Sequence, residues 1–545
     1  MHRAILVALA LLAHTSCGPK AVPAPSTGPK LVVLLVIDQL PTWAFERDRS
    51  LFTGGFARLL REGGYVRSAE LPYANSFTAP GHATIGTGTT PSVHGIIGNR
   101  WYRRDEGKDR SAEDDPSASS FRVVTDPIET PGVAPPLLID DTASPIALRV
   151  DGLADALRAA RPESTSVAIA LKSRAAVFVA GRKPDLAVWY EASAGGMTTS
   201  RAYASELPAW LVELAKQKPT SRFVGTTWEP LDASLLARFT RIPDDGPGEG
   251  DMHGLGTAFP HPINDADAIV HTPFGDEIVL DAVYAAMTAM SLGDDAAPDL
   301  LAIGLNAHDY AGHAFGPDSW ESLDLTLRLD RALGELFAAF DRRVGPDGWA
   351  LVMTSDHGAT PLVERSPIAG ARRTPTGSIV TAVNDALVPL LGEGAWVAKI
   401  SSNQLYFSSA AGDPTTRARV LDAAVAAIAK VPGIDSVYRV ADAIGNCDAR
   451  AGMERAVCWG LAPSASGDLY LVTERGSILT EYTTGTHHDA PSAENREVPV
   501  IVRAPGLAPQ TIDRASFLQV APTVAALLRV PPPVMATAPP LFSLR

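Results

Sequence analysis

The sequence predicts an α/β protein with a central, mostly parallel β-sheet flanked by helices and an α+β cap inserted late in the chain. Short, continuous apolar runs recur along the chain, as expected of strands buried on both faces of a parallel sheet. Segments with one apolar face alternate with these runs, which is typical of helices that cover a sheet. The pattern changes between residues 361 and 480. The sequence shows no internal repeat, P-loop or G-x-G-x-x-G signature.

Five apolar runs are predicted as strands of the sheet. Four of them are followed directly by acidic, basic or histidine-containing segments that could form an active site. The fifth is predicted as the last strand. In chain order the runs are Leu31–Ile37, Ser166–Leu171, Asp299–Leu305, Trp349–Thr354 and Val498–Val502.

Helices are predicted where apolar residues recur at helical spacing. The predicted ranges are Phe52–Glu62, Leu207–Lys216, Ser322–Arg343 and Val520–Leu528. The 361–480 segment is predicted to contain strands at 396–400, 403–407 and 436–440 and a helix at 418–430.

These patterns predict a main domain formed by residues 30–360 and 481–530, with the 361–480 cap between its two parts. Two polar stretches, 103–145 and 219–273, are predicted as irregular surface insertions because they are rich in Pro, Gly, Asp and Ser. Residues 18–29 read as a Pro-rich tether, and 531–545 as a Pro-rich tail.

The first 17 residues have the pattern of an export signal. Met1–Arg3 is basic, and the apolar run Ala4–Ala13 is too short to span a bilayer. Small residues precede Cys17, as in a lipoprotein cleavage site, but His14 departs from the usual aliphatic residue, so lipidation stays open. We therefore expect a periplasmic protein or one attached to the outer membrane through Cys17. Its only expected membrane contact is that anchor.

Composition excludes some classes of partner. The chain has 545 residues and a formal net charge of −14. This charge disfavours nucleic acid and anionic membrane surfaces, because neither would be attracted at long range. An anionic substrate would need a local cationic pocket. We expect a monomer. Cys447 and Cys458 are predicted to pair in an exported chain, with two free thiols as the alternative.

Thr78 is predicted to be a nucleophile. Pro80 marks a helix start, which places Thr78 as the N-cap, with its hydroxyl near free backbone N–H groups that attract anions. A plain capping threonine is the alternative interpretation. A threonine hydroxyl needs a base or a metal to become nucleophilic, and the rest of the sequence offers metal ligands.

Acids, histidines and basic residues follow the buried strands. In an open α/β sheet, ligands bind beyond the carboxyl ends of the strands. Asp309 and His313 are four residues apart, so one helical turn brings them to the same face. Aspartate and histidine without cysteine suit Zn²⁺ in a catalytic site. The residues concerned are Asp38, Asn99, Lys172, Arg174, Asp309, His313, Asp356 and His357.

The total negative charge of the predicted ligands matches two bound metal ions. Three aspartates and a threonine alkoxide carry about −4, which matches two divalent cations. Lys172 and Arg174 would then supply the positive charge that a phosphoryl group needs.

These residues lie in motifs that resemble the alkaline phosphatase superfamily, in its PafA-type, phosphate-irrepressible branch. The resemblance covers nearly all of residues 31–506. It is strongest at Val36–Gln39, Phe77–Thr84, His94–Asn99, Leu171–Arg174, Asp309–His313, Ser355–Gly358 and Thr486–Pro491. The resemblance implies an alkaline-phosphatase-like sandwich.

The resemblance also implies roles for the site residues. Asp309, His313 and His488 would hold one zinc ion. Asp38, Asp356 and His357 would hold another beside the nucleophile Thr78, whose oxygen would be a further ligand of that ion. Asn99, Lys172 and Arg174 would contact the phosphoryl oxygens. His488 is preferred to His487 because its distance from Pro491 and Val498 matches the family spacing.

The implied activity is phosphate monoester hydrolysis of small substrates through a phosphothreonine on Thr78. The first alternative is a phosphodiesterase or nucleotide pyrophosphatase of the same superfamily, against which the Lys172 and Arg174 pair argues. A sulfatase is disfavoured because its Cys/Ser-x-Pro-x-Arg motif is absent. A third alternative, from another class, is a non-catalytic zinc- or phosphate-binding protein.

Overall fold

A computed structural model describes residues 28–123, 138–217, 219–411 and 414–543. The predicted export signal, the possible lipid attachment at Cys17 and most of the predicted tether lie outside these residues. So does part of the predicted 103–145 insertion. None of the described helices has the length and apolar character needed to cross a membrane.

Strands are found along most of the described chain. In chain order they are β1 Leu31–Ile37, β2 Gly64–Glu70, β3 Arg100–Arg103, β4 Lys108–Ser111, β5 Ser119–Phe121, β6 Leu138–Thr142, β7 Ser166–Ala170, β8 Leu186–Glu191, β9 Gly196–Thr198, β10 Thr227–Trp228, β11 His261–Pro262, β12 Asp299–Leu305, β13 Trp349–Thr354, β14 Arg373–Thr374, β15 Val397–Ser401, β16 Gln404–Phe407, β17 Ile434–Arg439, β18 Leu469–Thr473, β19 Ile478–Leu479, β20 Glu497–Arg503 and β21 Gln510–Ser516.

Helices separate most of these strands. The α-helices are α1 Thr42–Asp48, α2 Gly55–Glu62, α3 Thr78–Thr87, α4 Pro91–His94, α5 Leu153–Ala160, α6 Ser173–Val179, α7 Ala209–Lys216, α8 Ala233–Thr240, α9 Pro273–Ala289, α10 Ala307–Phe315, α11 Trp320–Val344, α12 Thr376–Leu391, α13 Arg417–Ile428, α14 Val440–Ala443, α15 Gly452–Gly460, α16 Ala493–Arg496 and α17 Val520–Leu528.

The central sheet has nine strands in the order β21-β2-β20-β13-β1-β12-β7-β8-β9. The predicted strands β13, β1, β12 and β7 are direct neighbours and run parallel, with Leu31 opposite both Asp299 and Trp349. Antiparallel pairs occur where β20 meets β13 and β2, and between β8 and β9. The predicted α/β class with a mostly parallel sheet is confirmed.

Both faces of β1 are buried, which explains its unbroken apolar sequence. Leu31, Val33 and Leu35 belong to the core on one face of the sheet, whereas Val32 and Leu34 belong to the core on the other. Successive side chains of a strand point to opposite faces. Full burial of each such side chain contributes roughly 1.5–3 kcal/mol to the free energy of unfolding.

Two predictions about the elements were wrong. Val498–Val502 lies in β20, but it is not the last strand, because β21 follows and pairs in parallel with β2. Most residues of β21 are exposed or half-buried, so it lacks the apolar run by which the other strands were recognised. Neither predicted insertion is wholly irregular. The 219–273 stretch contains α8 and the β10–β11 pair, and the described part of 103–145 contains β4, which pairs with β3, and the β5–β6 pair.

A second sheet, in the order β15-β16-β18-β17, forms between residues 397 and 473. Helices α12 and α13 pack together, and their residues share one apolar cluster with this sheet. Strand β18 was not anticipated. The sheet lies within the predicted cap, whose exact boundaries stay a prediction.

Cys447 and Cys458 form a disulfide that closes a short loop running into α15. This pairing was the preferred prediction. Helix α15 contacts the segment before α3: Ala74 N–H donates to Ala456 O (3.0 Å), and Asn75 Nδ2 donates to Gly460 O (2.9 Å). The disulfide therefore constrains a helix on which the start of α3 rests.

We predict that replacing both cysteines by serine lowers the free energy of unfolding by about 2–3 kcal/mol, because the disulfide removes conformational freedom from the unfolded chain. Urea unfolding followed by circular dichroism measures this change. Wild type treated with a reductant should match the double variant, and the reductant should not affect the variant. An unchanged unfolding midpoint in the variant would contradict the prediction.

Candidate metal centre and active site

Helix α3 carries the predicted nucleophile in a fully buried position. The N-cap is Phe77 and Thr78 is the first helical residue, so the prediction that Thr78 itself is the N-cap was wrong. The reason lies in another segment: Asn99 Oδ1 accepts a hydrogen bond from Ala79 N (2.8 Å) and satisfies a free N–H of the first turn. The Thr78 hydroxyl is thereby left unused by the helix, and its Oγ1 lies 3.5 Å from His357 Nε2.

Helix α3 packs directly against the segment that follows β13. A Cβ on Gly81 would lie 2.4 Å from Asp356 O, so only glycine permits this approach. His82, one helical turn after Thr78, is completely buried. Its Nδ1–H donates to Thr78 O (3.0 Å), and the same nitrogen lies 3.1 Å from Asp356 Oδ2. His82 therefore contacts both the backbone of the predicted nucleophile and a predicted metal ligand.

Asp38, Asp356 and His357 form one group whose potential ligand atoms all lie within 4.8 Å of one another. Asp38 follows β1, and the other two follow the adjacent strand β13. His357 Nε2 lies 3.3 Å from Asp38 Oδ1 and 3.4 Å from Asp356 Oδ2. The three side chains are inaccessible to solvent. The Gln39 backbone N–H donates to Asp356 Oδ1 (3.2 Å) and holds that carboxylate in place.

Asp309, His313 and His488 form a second group of the same kind. Asp309 and His313 lie on α10, which follows β12, and His313 Nε2 is 3.3 Å from Asp309 Oδ1. His488 Nε2 is 3.7 Å from the same oxygen. The rings of His357 and His488 stack with centroids 3.8 Å apart, so the two groups are adjacent. His487 contacts the His313 ring at 5.3 Å but belongs to neither group.

The three histidines share one arrangement of hydrogen bonds. Each Nδ1 bonds to a backbone carbonyl: that of His357 to Gly358 O (2.9 Å), that of His313 to Thr486 O (2.6 Å), and that of His488 to Ser76 O. A carbonyl only accepts, so the proton is on Nδ1 in all three rings. In the neutral ring, Nε2 then carries a lone pair directed toward the carboxylates, which is the form of histidine that binds a metal.

Three carboxylates lie close together in a buried site, where their negative charges would be unfavourable without nearby positive charge. Burial raises the pKa of Asp38 to about 6, and the charges of Asp309 and Asp356 add to the rise. Burial acts to raise the pKa of Asp309 as well, but the charges of a protonated His313 and of Lys172 outweigh it, and the pKa falls below the usual range. Lys172 Nζ sits between the acids, 2.8 Å from Asp38 Oδ2 and in contact with Asp309 Oδ2. The positive charge of Lys172 therefore stabilises this cluster of buried acids.

The residues fit metal ions. Within the described chain, the buried atoms Asp38 Oδ1 and Asp356 Oδ2 accept no aligned hydrogen bond, so each has lone pairs to offer. Each group supplies carboxylate oxygens and neutral imidazole nitrogens, the donor set that Zn²⁺ takes in catalytic sites.

The predicted substrate-binding residues lie beside these groups. Burial opposes ionisation of Lys172, but Asp309 and Asp38 raise its pKa, so the ammonium stays charged. Arg174 follows in the first turn of α6, and its Nε lies 3.7 Å from Glu113 Oε1. Because Asn99 Oδ1 accepts from Ala79, its Nδ2 remains available as a donor. Asn99 reaches the site through Ala79, the residue after Thr78. The predicted site residues other than Asn99 and Arg174 are linked by direct contacts to Thr78 or to one of the two groups.

A cavity of about 640 Å³ opens over the site. Asn99, His313 and His488 line it together with Tyr310 and residues from both the insertion and the cap region. Tyr310 is also the ring over which Lys172 Nζ lies, 4.8 Å from the ring centroid.

Four residues that contact the site were not singled out from the sequence. Gln39 Nε2 donates to Asp309 Oδ1 (2.6 Å), and Asn306 Nδ2 donates to Asp38 Oδ2 (2.8 Å). Gln39 directly follows Asp38, and Asn306 directly follows β12. Looking for polar residues just after a buried strand, as was done for Asp38, would therefore also have found them. His82 is detectable from its helical spacing to Thr78. Glu113 lies in a polar stretch that gives no signal.

Residues 32–496 match the family described as type I phosphodiesterase / nucleotide pyrophosphatase. Alkaline phosphatase PafA of Elizabethkingia meningoseptica is 29% identical over 530 residues, covering 94% of this chain and 94% of that protein. Alkaline phosphatase PhoV of Synechococcus elongatus is 28% identical over 530 residues, covering 94% of this chain and 92% of that protein.

The crystal structure of wild-type alkaline phosphatase PafA superimposes with a TM-score of 0.84 at 27% identity, covering 96% of this chain and 99% of that one. This similarity confirms the fold expected from the sequence motifs.

We predict that His82→Leu weakens Zn²⁺ binding by about 10–100-fold, the usual loss when a residue that supports a metal ligand is removed, because His82 lies 3.1 Å from Asp356 Oδ2 and bonds the backbone of Thr78. His82→Asn is the matched control, because its Nδ2 can replace the Nδ1 donor, and it should stay within a few-fold of wild type. Competition with a chromogenic chelator measures the affinity, and circular dichroism checks the fold. Equal affinity in a folded His82→Leu variant would contradict a positioning role.

Proposed function

The chain belongs to the type I phosphodiesterase / nucleotide pyrophosphatase family and is of the PafA type within the alkaline phosphatase superfamily, and from that premise we propose that it is an exported alkaline phosphatase. It hydrolyses small phosphate monoesters through a phosphothreonine on Thr78 and uses two zinc ions. The observation that carries the proposal is the convergence of three histidine Nε2 lone pairs and three buried carboxylates beside a threonine hydroxyl that the helix leaves unused.

The two groups would each hold one zinc ion: Asp38, Asp356 and His357 beside Thr78, and Asp309, His313 and His488 next to them. When bound, the pair would supply Lewis-acid stabilisation of the entering and departing oxygens of an in-line displacement. His488 takes the ligand role rather than His487, since only His488 lies within ligand distance of Asp309 among the described histidines of that segment.

The protein's own groups position the phosphoryl group and neutralise its charge, which is the main source of rate acceleration in phosphoryl transfer. Asn99 Nδ2, the Lys172 ammonium and the Arg174 guanidinium contact the non-bridging oxygens. Thr78 Oγ gives up its proton and forms a bond to phosphorus as the bond to the leaving oxygen breaks, and the departing alkoxide takes up a proton to leave as the alcohol. Water then gives up a proton and attacks the phosphothreonine, the Oγ–P bond breaks, Thr78 Oγ regains a proton, and inorganic phosphate is released.

Lys172 and Arg174 favour monoesters over diesters. A monoester presents a dianionic phosphoryl group, whereas a diester places a neutral ester group where one charged oxygen would be. Two fixed cations therefore stabilise the monoester more. This is the basis for preferring a monoesterase to the phosphodiesterase alternative that the family description also covers.

Export is part of the proposal. The basic start and short apolar run of residues 1–17 have the pattern of an export signal, and the disulfide between Cys447 and Cys458 suits an oxidising compartment. We place the enzyme in the periplasm, with attachment to the outer membrane if Cys17 is lipidated.

We predict that wild type binds two Zn²⁺ per chain and loses all phosphatase activity on chelation, with recovery on adding Zn²⁺. Thr78→Ala should bind the same two ions but lose at least about 1,000-fold in kcat, because the nucleophile is removed. Thr78→Ser, which keeps the hydroxyl, is the matched control and should stay active. Metal analysis and hydrolysis of p-nitrophenyl phosphate measure both effects. Zinc or phosphate binding by wild type without turnover would instead establish the non-catalytic binder.

We predict that Lys172→Ala and Arg174→Ala each lower kcat/KM for a phosphomonoester by about 100-fold or more, the typical cost of losing one group that stabilises transition-state charge. For a phosphodiester the loss should be less than about tenfold, since one of the charged oxygens is missing. Arg182→Ala, an exposed arginine paired with Asp151, serves as the control. Equal losses on the two substrate types would refute the monoester assignment.

A further inference from the structure

The two metal-ligand groups differ in their access to solvent. Asp38, Asp356 and His357 have side chains that are 0% exposed, whereas the His313 side chain is 27% exposed. His313 and His488 also line the 640 Å³ cavity. In the proposed reaction, the group of Asp309, His313 and His488 faces the departing oxygen. The leaving group must therefore extend into this cavity, because the other side is closed by protein.

The rim of the cavity is built from two segments that are joined by backbone hydrogen bonds. Gly485 N–H donates to Gly248 O (2.8 Å). On one side Gly250 N–H donates to Ala314 O (2.9 Å), and on the other Thr486 N–H donates to His313 O (2.8 Å). Both segments are thus fixed to the end of α10, next to a proposed metal ligand.

Each rim segment presents a large apolar side chain to the cavity. Met252 is 38% exposed and Tyr482 is 72% exposed. The backbone around Tyr482 is nevertheless anchored: its N–H donates to Thr480 Oγ1 (3.0 Å), and the preceding residue Glu481 accepts from Gly377 N (2.7 Å) at the start of α12. An exposed aromatic ring on an anchored backbone is suited to contacting a ligand. Ile400 and Leu479 extend the apolar lining.

The charges around the cavity do not favour a second anionic group on the substrate. Arg100, which lines it, is already paired with Asp109 (3.0 Å) and bonded to Ser111 Oγ. The Asp489 carboxylate is buried and accepts a hydrogen bond from Leu479 N. An uncharged leaving group fits this lining better than one that carries another phosphate.

We propose that the rim formed by Met252 and Tyr482 is a leaving-group subsite that selects monoesters whose leaving group carries a planar aromatic ring, either the aryl ring of an aryl phosphate or the base of a nucleoside monophosphate. The proposal rests on the proposed phosphatase function. Aromatic rings and methionine both pack favourably against flat π-systems. Esters of small polar alcohols, such as glycerol or ribose, would bind through the phosphoryl group alone.

The test compares kcat/KM of wild type, Met252→Ala and Tyr482→Ala on matched substrate pairs. Phenyl phosphate is paired with glycerol 1-phosphate, and AMP with ribose 5-phosphate. Taking each variant relative to wild type on the same substrate cancels the intrinsic reactivity of the leaving group. We expect each variant to lose about fivefold or more on phenyl phosphate, on AMP or on both, and to stay within about twofold on glycerol 1-phosphate and ribose 5-phosphate.

Tyr284→Ala is the matched control, because Tyr284 is an exposed tyrosine (38%) on α9 that does not line the cavity. It should leave all four values unchanged. Loss on phenyl phosphate alone would identify an aryl subsite, and loss on AMP alone a nucleobase subsite. Equal loss on both members of each pair, or no loss on either aromatic substrate, would overturn the proposal.

A binding measurement separates this subsite from the chemistry. By calorimetry in the Thr78→Ala background, AMP should bind about fivefold or more tightly than ribose 5-phosphate. Adding Tyr482→Ala should remove that preference without changing the affinity for inorganic phosphate. If wild type hydrolyses none of the four monoesters, the proposed function fails. If it hydrolyses them and the rim variants change nothing, only the subsite fails.

Discussion

Three buried carboxylates that converge on one edge of the sheet are the constraint on which the site depends. Asp38, Asp309 and Asp356 follow three adjacent parallel strands, so the topology of the sheet brings like charges together where water is excluded. Burying unpaired charges at this spacing is strongly unfavourable. The fold tolerates it only with compensating positive charge. Lys172 supplies part of it, and the orphaned oxygens of Asp38 and Asp356 indicate where further cations belong.

Residues around the carboxylates hold the candidate ligands in position and are not themselves proposed to bind substrate. Gln39 occupies a left-handed conformation (φ 62°), which turns the chain after β1 so that its backbone N–H and its amide reach two different aspartates. The close contact of Gly81 with Asp356 brings α3, the helix that carries Thr78, to the same place. Backbone carbonyls orient all three histidine rings. These contacts hold the ligands in position before any ion binds, which reduces the cost of ordering them.

Much of this arrangement could be predicted because the strongest signals in the sequence are also the ones that build the site. The runs Leu31–Ile37 and Asp299–Leu305 match β1 and β12 residue for residue, since burial on both faces demands unbroken apolar sequence. The residues directly after such runs are placed by the topology of the sheet. The edge strand β21 was missed because half-exposed edge positions have no such requirement.

Contacts between distant segments could not be read in this way. The N-cap assignment of Thr78 failed because Asn99, from another turn, occupies the helix terminus. Glu113 reaches Arg174 from a stretch whose composition suggested only surface. In both cases the partner is set by tertiary packing, and a single sequence carries no periodic pattern that reports it.

The bond between His488 and Ser76 joins residues 412 positions apart, and it has a consequence for how the enzyme matures. A chain emerging from synthesis or translocation holds Asp309 and His313 long before residue 488 follows. Until that last imidazole arrives, the second ligand group is incomplete. In the proposed two-metal site, full loading with metal would therefore be a late event that depends on completion of the whole polypeptide, and a product truncated in the cap would be left with a partial, weakly chelating site.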